Sequence, residues 1–465
     1  MTARRSWQSY PLTYRAREMK TLAGWILAGQ SGSVIGLAGA GKSNLLGFLC
    51  HRPEALQAYL PADAASAFPI PVDLNNLPSD TLDTFYRVIL RSFYEVRDRF
   101  DPDLQGTVSD LYLENRGSRD PFLTQSAVRE LLFQFRAQQA RVALVMDRFD
   151  KFGQTATPHM LDTLRGLRDS FKDTLCYLVG MRQEMVYMFD PHALGEMYEI
   201  LDTHVCWVGP MNEPDARRVI VEETGAATHP PGPGEDEVAG LLALTGGYPA
   251  LLKAACHWWL STPDRPAVSE WTAAVLPERF IQSRLNEMWA GLTQEERQAL
   301  SYVQKWCTRS DTAVAIDARY HRVLRSLETK GLCRSTEAGW RIFSDLFAAY
   351  VADVGAAGSG KIWLDEATGE LYQGQTRLVD LSPLEREVLL FLTRHPYVRH
   401  AKTDLIVGAW PDELRRQGVT DDSLYQVIRE LRKQIEPHPA RPCYIVTWRG
   451  QPEGGYQFFP EGRPG

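Results

Sequence analysis

Apolar and polar positions along this chain follow two rhythms. Short continuous apolar runs appear at Ser33-Val34-Ile35, Pro69-Ile70-Pro71-Val72-Asp73-Leu74, Arg141-Val142-Ala143-Leu144-Val145-Met146-Asp147 and Thr174-Leu175-Cys176-Tyr177-Leu178-Val179-Gly180-Met181-Arg182. Runs of this length, closed by a charge or a glycine, predict strands buried on both faces. Between them, Thr81 to Val96 places Leu82, Phe85, Val88, Ile89 and Phe93 at helical spacing, and Gln125 to Gln138 does the same with Val128, Leu131, Leu132 and Phe135. The alternation predicts an α/β core, a parallel sheet with crossover helices on both faces.

From Ser283 the rhythm changes to short amphipathic helices closed by hairpins. Thr293 with Glu296 forms a capping box, Val323 to Cys333 stops at Gly331, and Arg334 to Phe343 can form a β-wing. A small-residue stretch ending at Gly360 reads as a linker. Beyond it, Lys361 to Asp365 and Leu371-Tyr372 flank a turn, and Ser382-Pro383-Leu384-Glu385 opens a helix with an N-cap, a proline at its first position and a box partner. A second helix is expected from Lys402 to Ala409, a third from Thr420 to Ile435, and a terminal hairpin from Tyr444 to Phe459.

The 465 residues suit about three domains. A net charge of −7 gives no global attraction to nucleic acid or anionic membrane, so DNA binding would need a local patch. Seven scattered cysteines without metal or redox spacing read as buried thiols in a reducing compartment. With no apolar leader and no long apolar run, we expect a cytoplasmic protein without a membrane partner.

Gly36-Leu37-Ala38-Gly39-Ala40-Gly41-Lys42-Ser43 is a complete G-x-x-x-x-G-K-[ST] loop between a strand and a helix. Gly36, Gly39 and Gly41 let successive N–H groups face one anion, Lys42 reaches the β/γ-phosphates, and the Ser43 hydroxyl can ligate Mg²⁺. We count Ala40 and Asn44 in the same candidate site for ATP or ADP. Asp147, at the end of a buried strand, can hold Mg²⁺ with Ser43. Arg148 follows where ATPases of the AAA+ type, which these residues resemble, commonly place a water-orienting Glu; the resemblance implies slow turnover, with Asp150 the substitute base and the site a switch. Arg182 can report the γ-phosphate, or pair with a surface carboxylate.

These motifs resemble a STAND-type NTPase, the signal-transducing branch of the AAA+ and NACHT-like ATPases. Tyr14-Arg15-Ala16-Arg17-Glu18 is similar to the family's motif near the adenine, with Ala16 where Gly is usual. Gly246-Gly247-Tyr248-Pro249 resembles its Gly-x-Pro element, which implies that Pro249 packs on the base; it also reads as a helix-opening turn. Val208 to Ala216 resembles the turn that opens the helical lid, with Asn212 as N-cap, and His229 to Gly234 is then a loop within the lid. The resemblance implies a core over 1–207, a lid over 208–275 and a winged helix over 276–352 that latches on the nucleotide, and small-residue composition marks a linker over 353–360.

Residues 361–465 closely resemble the OmpR-type winged helix of bacterial transcription regulators. The matching features are Leu381-Ser382-Pro383-Leu384-Glu385, Trp410-Pro411-Asp412, Leu431-Arg432-Lys433, and Tyr444-Ile445 through Gly450 to Gly455-Tyr456. In the third helix Leu424, Val427, Ile428, Leu431 and Ile435 form an apolar stripe, and Asp422, Gln426, Arg429 and Lys433 a polar one, with Ser423 and Arg432 beside it. We expect Ser423, Gln426, Arg429, Arg432, Lys433 and the wing residue Arg449 to contact double-stranded DNA. Glu430 and the acidic wing tip Gln451-Pro452-Glu453-Gly454 depart from the pattern. The reading is an ATP-dependent transcription regulator with an unknown activating signal and self-assembly in the ATP state. The alternatives are a DNA-dependent AAA+ loader or remodeller, and a winged helix used for protein contact.

Overall fold

The apolar runs pair as a fully parallel sheet in a computed structural model describing residues 7–188, 194–225, 232–307, 320–337, 339–354, 360–374, 376–410, 421–450 and 454–464. The chain divides into two compact units, Met1–Phe189 with Ala193–Asp215, and Asp190–His192 with Ala216–Gly465.

The sheet of the first unit contains β1 (Gly32–Ile35), β2 (Ala67–Pro71), β3 (Arg141–Met146), β4 (Leu175–Met181) and β5 (Val205–Trp207), in the order β2-β3-β4-β1-β5. Every pairing is parallel, as crossover helices require. β4 is buried at all seven positions, which explains why it reads as an uninterrupted apolar run. β5 has three residues and no such run; its place is set by backbone pairing to β1, so periodicity could not find it. The helix expected from Thr81 runs Leu82–Glu95, and Pro121–Ala137 begins before the expected Gln125 because Asp120 caps it through Phe122 N and Leu123 N. Ile89, Phe93, Leu131, Phe135, Leu144 and Tyr177 meet in one core with Ile35 and Met181. Each fully buried side chain of this size contributes about 1.5–3 kcal/mol, so this core dominates the unit.

In the second unit, Gly246 and Gly247 both have positive φ and Pro249 opens the helix Pro249–Ser261. Tyr248 packs against Phe343 at a ring distance of 5.9 Å. The first winged helix contains Gln294–Cys307, His321–Thr329 and the antiparallel pair β6 (Cys333–Thr336) and β7 (Gly339–Ile342). The Thr293 box forms, with both of its hydrogen bonds at 3.1 Å. Glu296 also takes a buried ion pair from Lys330 at 2.6 Å.

The C-terminal part has its own core, in which Leu389, Leu424, Ile428, Leu431, Tyr444 and Phe458 meet. Its first sheet joins β8 (Ile362–Asp365), β9 (Glu370–Gln373) and β10 (Thr376–Arg377). The helices Pro383–Arg394, Lys402–Ala409 and Asp421–Ile435 follow the expected order, and the Ser382–Glu385 box closes at 2.8 and 3.4 Å. The terminal hairpin of β12 (Ile445–Trp448) and β13 (Gly455–Phe458) gains a third strand, β11 (Arg399–Ala401), that the sequence reading missed. The N-terminus of Gln294–Cys307 touches this part: Gln294 N donates to Glu461 O at 3.1 Å. Expected features at 229–231, 355–359, 411–412 and 451–453 lie outside the described residues. Among the described residues no helix is long and apolar enough to cross a membrane.

Candidate nucleotide site and nucleic-acid interface

The phosphate loop leaves β1 at Gly36 and enters the helix Lys42–His51. Gly39 at φ 80° and Gly41 at φ 92° lie in the left-handed region, so the loop's curvature depends on glycine at these two positions. Lys42 Nζ donates to the carbonyls of Gly36 and Leu37. Burial lowers the Lys42 pKa to about 8; Arg182 pushes the same way, against the pull of Asp147 and Asp150. All four charged residues named from the sequence therefore share one electrostatic neighbourhood. Arg182 itself is exposed just beyond β4.

Asp147 follows β3 and accepts a hydrogen bond from Arg148 N at 2.9 Å. Asn75 Nδ2 donates to the Asp147 carbonyl at 3.0 Å, a contact the sequence reading missed because Asn75 lies in the loop after β2. Gly180 on the neighbouring strand has no room for a side chain: a Cβ there would stand 2.7 Å from Asp147 Oδ1. Ser43 and Asp147 line the same cavity. A hydroxyl and a carboxylate facing one space beside a curved glycine loop are a donor set that suits Mg²⁺ held between protein and phosphate. Among the described residues no group of three His, Cys, Asp or Glu residues could hold a metal alone. Arg148 is exposed at φ 55°, and Asp150 is buried with Oδ1 lacking a hydrogen-bond partner.

Arg15 is 1% exposed and sits at φ 52° before the helix Ala16–Ala28. Its guanidinium donates to Ala40 O at 2.8 Å, Gly209 O at 2.9 Å and Pro210 O at 3.1 Å. Its backbone N–H donates to Asp215 at 2.9 Å. Arg15 thus ties the phosphate loop to the turn after β5, where Asn212 caps the helix Glu213–Gly225 by accepting from Asp215 N at 2.8 Å. Asn44 donates to the hydroxyls of Tyr14 and Tyr10 at 2.9 and 3.3 Å, and Tyr14 packs edge-on against Phe48. In this arrangement the side chains of Tyr14, Arg15 and Asn44 brace the P-loop helix. Pro249, named with them, stands at the first position of its helix in the second unit.

On the helix Asp421–Ile435, the stripe Leu424, Ile428, Leu431 and Ile435 is buried, while Ser423, Gln426 and Arg429 are exposed. Arg432 turns to the wing: it donates to Ile445 O at 2.6 and 3.0 Å and to Thr447 Oγ1 at 2.8 Å. One turn on, the buried Glu436 carboxylate accepts from the backbone N–H groups of Cys443, Tyr444 and Ile445 at 2.7 to 3.1 Å. Helix and wing are held at a set angle by these two side chains. Lys433 pairs with Glu430 at 2.7 Å within the helix, and Arg449 is exposed on the wing. Tyr425, one turn before Arg429, is 57% exposed on the same helix.

Residues 374–458 match the family model of the C-terminal part of transcriptional regulatory proteins. The C-terminal winged helix is a transcription-regulator domain. The first unit has a P-loop ATPase fold, as the loop, the strand-end Asp147 and the parallel sheet show. Among solved structures, a Walker-type ATPase of Pyrococcus abyssi is 15% identical, covering 74% of this chain and 99% of that one at a TM-score of 0.40. The ORC2 protein of Aeropyrum pernix is 13% identical, with coverage of 73% and 91% and a TM-score of 0.38. A STAND protein with a tetratricopeptide-repeat sensor from Pyrococcus horikoshii is 16% identical, with coverage of 93% and 55% and a TM-score of 0.28. No curated protein sequence matches the chain.

Proposed function

We propose that the chain is an ATP-dependent transcription regulator in which the nucleotide state of the first unit controls DNA binding by the C-terminal winged helix. One observation carries this reading. A phosphate loop whose Ser43 shares a cavity with Asp147 is fused to a regulator domain whose helix exposes Gln426 and Arg429. Side chains so placed suit base edges in the major groove, with Lys433 and Arg449 nearer the phosphates. Mg²⁺ and ATP or ADP are the cofactors, with Ser43 and Asp147 holding the metal and Lys42 the β/γ-phosphates. Arg148 in the water-orienting position and a buried Asp150 favour slow turnover, and a switch needs two long-lived states more than it needs flux.

The test is DNA binding by the full chain in two nucleotide states. Duplexes recovered with the purified protein are sequenced, then titrated by fluorescence anisotropy with Mg-ATP or Mg-ADP present. We expect a shared sequence element whose affinity differs between the two states. Equal affinity in both states, with vigorous DNA-stimulated hydrolysis, would replace the switch with a loader or remodeller.

A further inference from the structure

From Ser43 and Asp147 a cavity of about 1040 Å³ extends between the P-loop helix, the loop after β2 and the helix Leu82–Glu95. Its volume reaches the upper end of small-molecule sites, roughly 300–1,000 Å³. Three side chains lining it carry buried polar atoms with no hydrogen-bond partner: Trp7 Nε1, Asn75 Oδ1 and Arg91 Nε. Trp7 Nε1 and Asn75 Oδ1 mark positions where a bound molecule would supply partners, whereas Arg91 Nε already faces Glu95 Oε1 in an ion pair at 3.5 Å.

Two of the three are mechanically joined to the nucleotide site. The Asn75 amide that leaves Oδ1 unpaired uses its Nδ2 to hold the Asp147 carbonyl at 3.0 Å. The Trp7 indole lies against Gly47 of the P-loop helix, where a Cβ would come within 2.6 Å of the ring, and it stacks on His51 at 4.6 Å. A molecule filling the cavity would therefore press on the elements that hold Mg²⁺ and phosphate.

We propose that this cavity binds a small carboxylate with an apolar body and a hydrogen-bond donor, and that this ligand is the signal that sets the switch. Trp7 offers an N–H donor for the carboxylate and Arg91, whose Nε pairs with Glu95 at 3.5 Å, the rest of its guanidinium; the Asn75 oxygen accepts from a hydroxyl or ammonium group, and Leu46, Val72 and Met160 supply apolar wall. The proposal rests on the nucleotide-switch reading of the same unit.

The probes are the twenty standard amino acids together with glycolate, lactate and malate, added to the full chain with Mg-ADP. Binding is read by thermal shift and then by titration calorimetry. At least one probe should bind, change the affinity for Mg-ADP or Mg-ATP, and lose about ten- to a hundredfold in affinity in Arg91→Leu. Leu77→Trp, which narrows the cavity, should block the probe while Mg-ATP still binds. If no probe binds to a chain that binds Mg-ATP normally, or if both variants bind it unchanged, the cavity holds only water and the proposal fails. A probe that binds without altering nucleotide affinity overturns its role as the signal. A chain that binds the probe but no nucleotide overturns the switch and leaves the ligand site standing.

Discussion

In the phosphate-loop unit Arg15 is fully buried and spends its guanidinium on three backbone carbonyls, whereas on the helix Asp421–Ile435 Arg429 stands exposed. Between these extremes is Arg432, three residues from Arg429, whose donors are taken by the wing. The three arginines look alike as letters, and each was assigned to a ligand on the strength of its motif. The contrast shows that a motif's cation can serve the ligand directly or serve the backbone that shapes the site. Only the carbonyls brought within reach decide which.

The largest expected effect tests the cation proposed to face phosphate. Lys42→Ala should weaken Mg-ATP binding by about 3 kcal/mol or more, since a charge-assisted hydrogen bond in a partly buried site is lost. Isothermal titration measures it, and wild-type affinity in this variant would remove the site assignment. Next comes the buried brace. Arg15→Ala leaves the Ala40, Gly209 and Pro210 carbonyls without their donor and should cost about 2–3 kcal/mol of stability, measured by urea unfolding. If instead stability holds and only ATP affinity falls, Arg15 belongs with Lys42 as a direct ligand.

The two helix arginines should then separate. Arg429→Ala should cost about 1–3 kcal/mol of DNA affinity at the preferred site with no change in melting temperature. Arg432→Ala should lower the melting temperature of the C-terminal part as well, because the helix-to-wing angle loses a clamp. Lys433→Ala should weaken all duplexes alike and flatten the salt dependence by about one unit. Anisotropy across salt concentrations, beside thermal melts, distinguishes these outcomes.

The smallest effect is a pH dependence. Burial holds Lys42 at about 8, below its ordinary value, so the amine is charged below that pH and progressively neutral above it. Phosphate binding favours the charged form and raises the pKa, so binding above pH 8 requires proton uptake. ATP affinity should fall as pH rises through about 8, by at most about tenfold per unit. Affinity that holds constant to pH 9.5 would show that Lys42 keeps its proton in the free protein.

The sequence by itself determined the elements that depend on neighbours in the chain. The phosphate loop needs glycines at fixed offsets, β3 and β4 need unbroken apolar runs, and the Thr293 and Ser382 caps need a partner three residues on. The apolar stripe Leu424, Ile428, Leu431 and Ile435 likewise follows from helical spacing alone. Tertiary structure decided what depends on residues far apart. β5 and β11 exist because β1 and β13 offer them backbone partners; neither strand carries an alternating pattern. Asn75 reaches the Asp147 carbonyl across 72 positions, and Arg15 meets Gly209 across 194. Hydrogen bonds of this kind are specified by the approach of two backbones, and that approach is set by the packing of the whole core. Residue type and local spacing carry no record of it.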